Sequence, residues 1–257
     1  VPINIPALVD EYIESVNEER EPDGMYHPSQ MFGCLRQATY AVRGIEPTNP
    51  PDAISKRRFY IGHRLHEAVQ RSLESALSLI RVYPEFEINV IEHNITGHGD
   101  ALVQDSDGNW WVIEVKSIKK WGMKMGLPKP DHVKQAKVYA WAVRNYGALS
   151  RDPFGDAVTI PALGDKLKGV IIVYVEKEEL IMEQHELEWD DSWGSDIISQ
   201  VAHLDVYRND PDALPPRLPR DAKGKKNWMC NYCPFKDKCW KEDPVEIAPT
   251  MDGMEDW

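Results

Sequence analysis

Long apolar runs are absent from this chain. The stretch Val170-Ile171-Ile172-Val173-Tyr174-Val175 is as long as any, and a helix that crosses a bilayer needs about 20 such residues. The opening Val1-Pro2-Ile3-Asn4-Ile5 has neither the basic nor the apolar region of an export signal. Membrane insertion and secretion are therefore not expected, and a cytoplasmic protein is. Cysteine is scarce, four in 257 residues, and without export these are expected to be reduced thiols. An excess of positive charge is also missing: a net charge of −12 argues against a protein that coats nucleic acid without discrimination. No internal repeat or low-complexity tract stands out. No Gly-x4-Gly-Lys-Ser/Thr phosphate loop occurs, so the chain carries no helicase motor of that kind.

What is present suits an ordinary globular core, with 42% hydrophobic and 28% charged residues in a length fit for one large domain or two small ones. The charge is unevenly spread. Residues 116–129 hold five lysines and no acid, and residues 217–238 hold seven basic residues against Asp221 and Asp237. Basic segments on an acidic body suggest one side that faces a polyanion, although solvated loops account for either segment alone. The cysteines are uneven too. Cys34 stands by itself, while Cys230, Cys233 and Cys239 form C-x2-C-x5-C, a spacing closer to a ligand set than to a disulfide framework.

Hydrophobic periodicity predicts an amphipathic helix over 6–20 with Leu8, Val9, Tyr12, Ile13 and Val16 on one side. Ser29 is placed to cap a second helix through Val42. A long third helix is expected over 53–79 from the stripe Ile61, Leu65, Val69, Leu73 and Leu77. Strands follow at 81–91, 96–104 and 110–117, then a loop over 119–130 and a helix from a capping Asp131 to Tyr146. Residues 147–167 read as irregular. Strands at 169–176 and 180–189 form a hairpin, and a helix over 191–207 leads to a proline-rich stretch at 210–219. Helices before and after a group of strands predict an α/β or α+β domain with a mixed sheet.

The stretch from Gly97 to Lys116 carries the chemistry. Asp105-Ser106-Asp107-Gly108-Asn109 has the composition of a tight hairpin loop. If Gln104 pairs with Trp110, Asp100 falls opposite Glu114 and Lys116 opposite His98. Ala101, Val103, Trp111, Ile113 and Val115 then make the core side. Two carboxylates so placed have Cβ atoms roughly 5 Å apart and repel, a cost a sheet bears if a divalent cation sits between them. The Val115 carbonyl adds a third oxygen of the kind Mg²⁺ accepts, and Lys116 points to the same side to hold or polarise water. A solvent-facing hairpin whose charges happen to align fits the pattern as well. His66 stands beside the stripe of the long helix, and Gln135 and Tyr139, four apart, share a helical face. Each alone is unspecific.

Their order along the chain is the informative feature. Gly62-His63-Arg64-Leu65-His66-Glu67, Gly99-Asp100, Glu114-Val115-Lys116 and Gln135-Ala136-Lys137-Val138-Tyr139 together resemble the RecB-like branch of the PD-(D/E)XK nuclease superfamily. Gly99 replaces that family's proline before the aspartate. Ser29-Gln30-Met31-Phe32-Gly33-Cys34-Leu35-Arg36, joined with the three later cysteines, is similar to the iron–sulfur version, which includes CRISPR-associated RecB-like exonucleases and the AddB nuclease domain. The resemblance runs over 29–240, nearly the whole chain. It implies a restriction-endonuclease-like mixed central sheet flanked by helices, with the N- and C-terminal segments joined by a metal cluster. In domain terms it implies one nuclease domain over 1–257, a catalytic core over 53–190, and a cluster subdomain built from 29–45 and 215–241.

By the same resemblance His66, Asp100, Glu114 and the Val115 carbonyl bind Mn²⁺ or Mg²⁺, the imidazole favouring Mn²⁺. Lys116 orients the attacking water or stabilises phosphate charge, and Gln135 and Tyr139 position the DNA strand, Tyr139 also organising the lysine. Cys34, Cys230, Cys233 and Cys239 hold a [4Fe–4S] cluster. Thiolate chemistry alone leans to a structural Zn²⁺; the resemblance, and the distance of Cys34 from the local pairs that a zinc ribbon uses, tilt the reading back to the cluster. Lys119, Lys120, Lys124, Arg217 and Arg220 are the candidate DNA contacts. The activity implied is a divalent-metal-dependent deoxyribonuclease, an exonuclease on single-stranded DNA or duplex ends. Its setting is recombination, repair or CRISPR spacer acquisition in a bacterial, archaeal or phage-infected cell, with a helicase, integrase or recombination protein as partner. Two other classes compete: a catalytically inactive, metal-stabilised DNA-binding adaptor, and a redox protein that uses the cluster for electron transfer. Intact Asp100, Glu114 and Lys116 weigh against the first, and the carboxylate hairpin is left over by the second.

Overall fold

The structure, a computed structural model, describes residues 3–16, 22–152 and 155–241. Helices α1 (Ile5–Ser15), α2 (Pro28–Met31), α3 (Leu35–Val42) and α4 (Ala53–Glu74) precede strands β1 (Arg81–Val90), β2 (Ile95–Gln104) and β3 (Trp110–Ile118). After β3 come α5 (Lys120–Met123), α6 (Pro130–Asn145), β4 (Ala148–Arg151), β5 (Ala157–Ile160), β6 (Leu167–Glu176), β7 (Met182–Glu188), α7 (Ser192–Asn209) and α8 (Lys236–Lys241). The strands form one sheet in the order β5-β4-β1-β2-β3-β6-β7. Only β3 and β6 run parallel, so this is the mixed central sheet flanked by helices that was expected. Among the described residues no helix is long and apolar enough to cross a membrane.

Both faces of the sheet are covered. Ala101, Val103, Ile113 and Val115, the side expected to face the core, pack with Val175 against Leu65, Val69 and Leu73 of α4. The opposite face is not solvated: Leu102, Trp110, Val112 and Ile172 belong to a larger core with α6 and α7. Helix α6 begins with Pro130 in its first turn, where the missing N–H costs nothing. It buries every residue from Val138 to Val143, because the sheet lies on one side of it and α2 and α7 on the other.

Several local expectations change. The long helix stops at Glu74, with Ser75 as its C-cap, and Leu77 is fully exposed, at 103%. A four-residue repeat advances roughly 40° around a helix at each step, so only the middle of the stripe faces the sheet, and Ile61 is exposed as well. The helix expected from Ser29 to Val42 is two, broken at Phe32-Gly33. Ser29 lies inside α2, and Cys34 is the N-cap residue of α3. Lys129, not Asp131, precedes α6, and Asp131 sits in its first turn, where a carboxylate suits the helix dipole. Short elements occupy stretches expected to be irregular: α5 within 119–130, and β4 and β5 within 147–167. The predicted extension of α1 over 17–20 lies outside the described residues. Of the predicted apolar face of α1 only Ile13 is buried, and the helix is held to α4 by ion pairs Asp10–Arg57 and Glu14–Lys56.

Candidate active site and cysteine pocket

The hairpin has the expected register from Gln104↔Trp110 to Ala101↔Ile113 and then opens. Strand β2 stays with β1 as far as Ile95, while β3 stays with β6 as far as Ile118. The expected pairs Asp100–Glu114 and His98–Lys116 therefore do not form as ladder pairs. Beyond the opening Tyr26 takes the free edge of β2, its carbonyl accepting from Thr96 N–H at 3.0 Å. The carboxylates stand at the fork.

At the fork Asp100 Oδ2 accepts from the Val115 backbone N–H at 2.6 Å, and Oδ1 accepts from His66 Nδ1 at 3.0 Å. The backbone carbonyl of Asp100 accepts from Gln70 Nε2 at 2.7 Å. One turn of α4 separates Gln70 from His66, so a single helical face fixes both ends of the aspartate. Glu114 is 2% exposed. Its Oε1 accepts from Lys116 Nζ at 2.6 Å and Gln135 Nε2 at 2.9 Å, and Lys116 Nζ also donates to Gln135 Oε1 at 2.9 Å. The other oxygen, Oε2, is buried without a partner. Burial pushes the Glu114 carboxyl up to about 7, against the pull of Lys116 and His66, and Asp100 adds to the rise.

Tyr139 is buried, edge-on to Phe86 at 5.9 Å between ring centroids. Its hydroxyl lies 3.3 Å from where a Cβ on Gly97 would sit. Behind the lysine, Tyr174 occupies the position on β6 that pairs with Lys116. Its hydroxyl oxygen accepts from Lys129 N–H at 2.9 Å and is hydrogen-bonded to His132 Nδ1 at 3.0 Å. The His132 pKa is depressed to about 4 by burial and by Lys116. The sequence reading did not include Gln70, His132 or Tyr174. The four-residue step from His66 to Gln70 was the available signal for the first; nothing local signals the other two.

Among the described residues, no group of three or more His, Cys, Asp or Glu side chains is gathered closely enough to hold a metal ion. The donors at the fork have the right chemistry, one imidazole and two carboxylates with a bare oxygen on Glu114, but Glu114 is turned onto Lys116 and Gln135. At the other site Cys34, Cys230, Cys233 and Cys239 line one pocket as free thiols. Burial raises the Cys34 and Cys233 thiols, and the neighbouring cysteines add to it. Residues 40–49 and 234–237 meet beside the pocket through ordinary contacts. Pro234 carbonyl accepts from Asn49 N–H at 2.8 Å, Asn49 Oδ1 accepts from Asp237 N–H at 2.8 Å, and Tyr40 packs on Phe235 at 5.4 Å.

The candidate DNA contacts divide. Lys119 and Lys124 are exposed, while Lys120 is paired with Glu179. Arg217 and Arg220 lie over the Trp240 ring at 5.2 and 4.7 Å, and Arg217 Nε donates to the Cys239 carbonyl at 2.8 Å.

Among solved structures the chain is similar to SSO0001, with 19% identity over 91% of this chain and 93% of that one and a TM-score of 0.49. It is also similar to an alkaline exonuclease, LHK-Exo, from Laribacter hongkongensis, with 14% identity over 78% of this chain and 92% of that one and a TM-score of 0.44. For the complex of LHK-Exo with dAMP the values are 15%, 72%, 88% and 0.48. No curated protein sequence matches the chain. The family profile described as "PD-(D/E)XK nuclease superfamily" matches residues 11–240. With the mixed sheet, and with Asp100 and Glu114-Val115-Lys116 at its fork, that match places the chain: it belongs to the PD-(D/E)XK nuclease superfamily.

Proposed function

We propose that this chain is a divalent-metal-dependent DNA exonuclease of the RecB-like kind, hydrolysing phosphodiester bonds in single-stranded DNA or at DNA ends. The observation that carries it is Glu114, a buried carboxylate with one oxygen bare, beside a second carboxylate that an imidazole orients. Lys116 Nζ already meets Oε1 at 2.6 Å, but a buried oxygen left bare, as Oε2 is, is costly unless a donor or a second cation meets it. His66, Asp100, Glu114 and the Val115 carbonyl are the groups that would hold Mg²⁺ or Mn²⁺. A metal bound there supplies Lewis-acid polarisation of the phosphate and a more acidic water.

The chain's own residues do the rest. Asp100 is fixed by His66, Gln70 and the Val115 N–H. Gln135 holds Lys116 Nζ against Glu114, and the ammonium there orients a water or neutralises charge on the phosphate. Attack by water oxygen forms one P–O bond as the bond to the leaving sugar oxygen breaks, and the leaving oxygen takes up a proton. Gln135 and Tyr139, one helical turn apart, would position the DNA strand, with Tyr139 also organising the lysine. Lys119, Lys120, Lys124, Arg217 and Arg220 would guide the strand.

In the same proposal Cys34, Cys230, Cys233 and Cys239 hold a [4Fe–4S] cluster, with Zn²⁺ as the alternative, and residues 29–45 and 215–241 form one subdomain on the 53–190 core. Their convergence on one pocket supports it, and so do the cationic neighbours Arg217 and Lys236 in its lining, which suit an anionic thiolate cluster. Recombination, repair or CRISPR spacer acquisition in the cytoplasm, beside a helicase, integrase or recombination protein, is the setting such an enzyme fits.

The test is degradation of end-labelled single-stranded DNA with Mn²⁺ or Mg²⁺, for wild type and Glu114→Ala. Metal-dependent cleavage that falls at least about a hundredfold in the variant is expected. No cleavage by a folded, metal-loaded wild type turns the assignment to the DNA-binding adaptor. Equal cleavage by both moves the catalytic site elsewhere.

A further inference from the structure

The cysteine segment carries a feature that neither the hydrolytic site nor the thiol pocket uses. Trp228 and Tyr232 are 70% and 73% exposed, the two most exposed aromatic side chains among the described residues. They flank a single helical turn, Trp228–Asn231, whose start is fixed by Asn227 Oδ1 accepting from Met229 N–H at 3.0 Å. Along this turn the residues divide by side. Met229, Cys230 and Cys233 line the thiol pocket, while the rings of Trp228 and Tyr232 face out, with centroids 6.4 Å apart at 69°. Two large rings left exposed side by side are an apolar surface without a covering partner among the described residues.

Cations precede them in the chain. The approach to this turn, residues 217–226, holds Arg217, Arg220, Lys223, Lys225 and Lys226 against the single acid Asp221, in a chain of net charge −12. Asp221 serves the loop itself, its carboxylate accepting from the N–H groups of Lys223 and Lys225 at 2.9 and 2.8 Å. Arg220 and Lys226 are gathered on the Trp240 ring at 4.7 and 4.3 Å, so both charges are held in place instead of trailing in solvent. The patch also connects to the fork. Met229 lies 3.5 Å from the position of a Cβ on Gly33. The adjacent Phe32 ring lies under Lys134 Nζ at 5.9 Å, and the next residue, Gln135, holds Glu114 and Lys116.

We propose that Trp228 and Tyr232 form a seat for single-stranded DNA, stacking its bases while Arg220 and Lys226 receive the flanking phosphates. Stacked aromatics within a basic track are how strands are held without regard to sequence. A duplex offers no free base face to them. The seat rests on the proposal that the chain acts on DNA, and its test is separable from that proposal.

The experiment measures binding of a labelled oligothymidylate of about 20 nucleotides by anisotropy, with Ca²⁺ in place of Mg²⁺ or Mn²⁺, against a hairpin-closed duplex. The proteins are wild type, Trp228→Ala/Tyr232→Ala and Trp228→Phe/Tyr232→Phe, each checked for equal metal content. The alanine variant is expected to bind the single strand at least about tenfold more weakly, with duplex binding changed less than about threefold, and the phenylalanine variant is expected to stay near wild type. Single-strand binding by the alanine variant within about twofold of wild type overturns the seat. Equal losses for strand and duplex, or a wild type that binds no single strand, do so as well. If the alanine variant loses its metal, the phenylalanine variant decides, because tenfold weaker binding there removes stacking as the cause. Hydrolysis of a p-nitrophenyl ester of thymidine monophosphate, too small to reach the rings, reports separately on the fork. Ring-dependent binding by a wild type that hydrolyses nothing removes the nuclease and leaves the seat.

Discussion

Gly99, immediately before Asp100, shows how closely the fork is packed. A Cβ there would lie 2.2 Å from the Cζ of Phe86, a ring with no exposure that stands edge-on to Tyr139. The family's proline would meet the same ring, so the departure from the family pattern has a steric cause in this chain. Gly99→Ala is expected to cost about 1–3 kcal/mol in chemical denaturation, and Phe86→Leu in the same chain to restore part of it. His132 makes a second residue-scale prediction. Its pKa is depressed to about 4 in the fold against an ordinary value near 6.5. Below that ordinary value the unfolded chain takes a proton that the folded chain refuses. The contribution is thus fully present above about pH 6.5 and is lost as pH falls toward 4, at about 1.4 kcal/mol for each pH unit between the two states. His132→Gln, which keeps a hydrogen-bonding group for the Tyr174 hydroxyl, is expected to flatten the fall in Tm between pH 7 and pH 5. An equally steep fall in the variant would assign the acid sensitivity to other groups.

At the scale of elements, the fork exists because β3 changes partner. It leaves β2 after Ala101↔Ile113 and continues with β6 to Ile118. Both carboxylates stay on the rigid sheet at this opening, Asp100 half-buried and Glu114 buried. The alternation of residues 97–116 made the hairpin and its register legible, since a one-residue slip would exchange its faces. It did not show where pairing ends, because that depends on the distant strand β6 and on Tyr26. Helix α7 is held in a comparable way: Arg43, just past α3, donates through Nη2 to the carbonyls of Tyr207, Asp210 and, at 2.8 Å, Ala213. These include carbonyls that the end of a helix leaves unpaired. Arg43→Ala is expected to cost about 1–3 kcal/mol and to speed amide exchange at the C-terminal end of α7, measured by hydrogen exchange.

For the whole molecule, the decisive contact is between two distant parts of the chain. Residues 47–51 and 233–238 are joined by backbone and side-chain bonds, and the four cysteines line the pocket beside them. A metal bound by the folded protein and not by the unfolded chain adds its binding free energy to stability. On the proposal that these thiols hold a metal, Cys34→Ser is expected to lose iron, or zinc, by elemental analysis and to be destabilised by more than about 3 kcal/mol. Anaerobic purification that gives a colourless wild type with stoichiometric zinc would remove the iron–sulfur assignment and keep the tie.

The sequence by itself determined the elements whose signal is local. The helix around Leu65 and Val69 and the strand pairs at 101–113 and 169–188 are set by periodicity and spacing, and the order of His66, Asp100, Glu114, Lys116 and Gln135 was legible through its resemblance to the superfamily. Residues four apart on a helix, or facing one another across a tight turn, have little freedom to be elsewhere. Tertiary structure alone decided what lies between elements: that Glu114 is buried and turned onto Lys116 and Gln135, that Phe86 forbids a side chain at Gly99, and that both sheet faces are covered. It also decided that Trp228 and Tyr232 remain outside while the cysteines beside them line a pocket. Burial and partnership are properties of the packed molecule, and the same short stretch of sequence fits either outcome until the distant elements close around it.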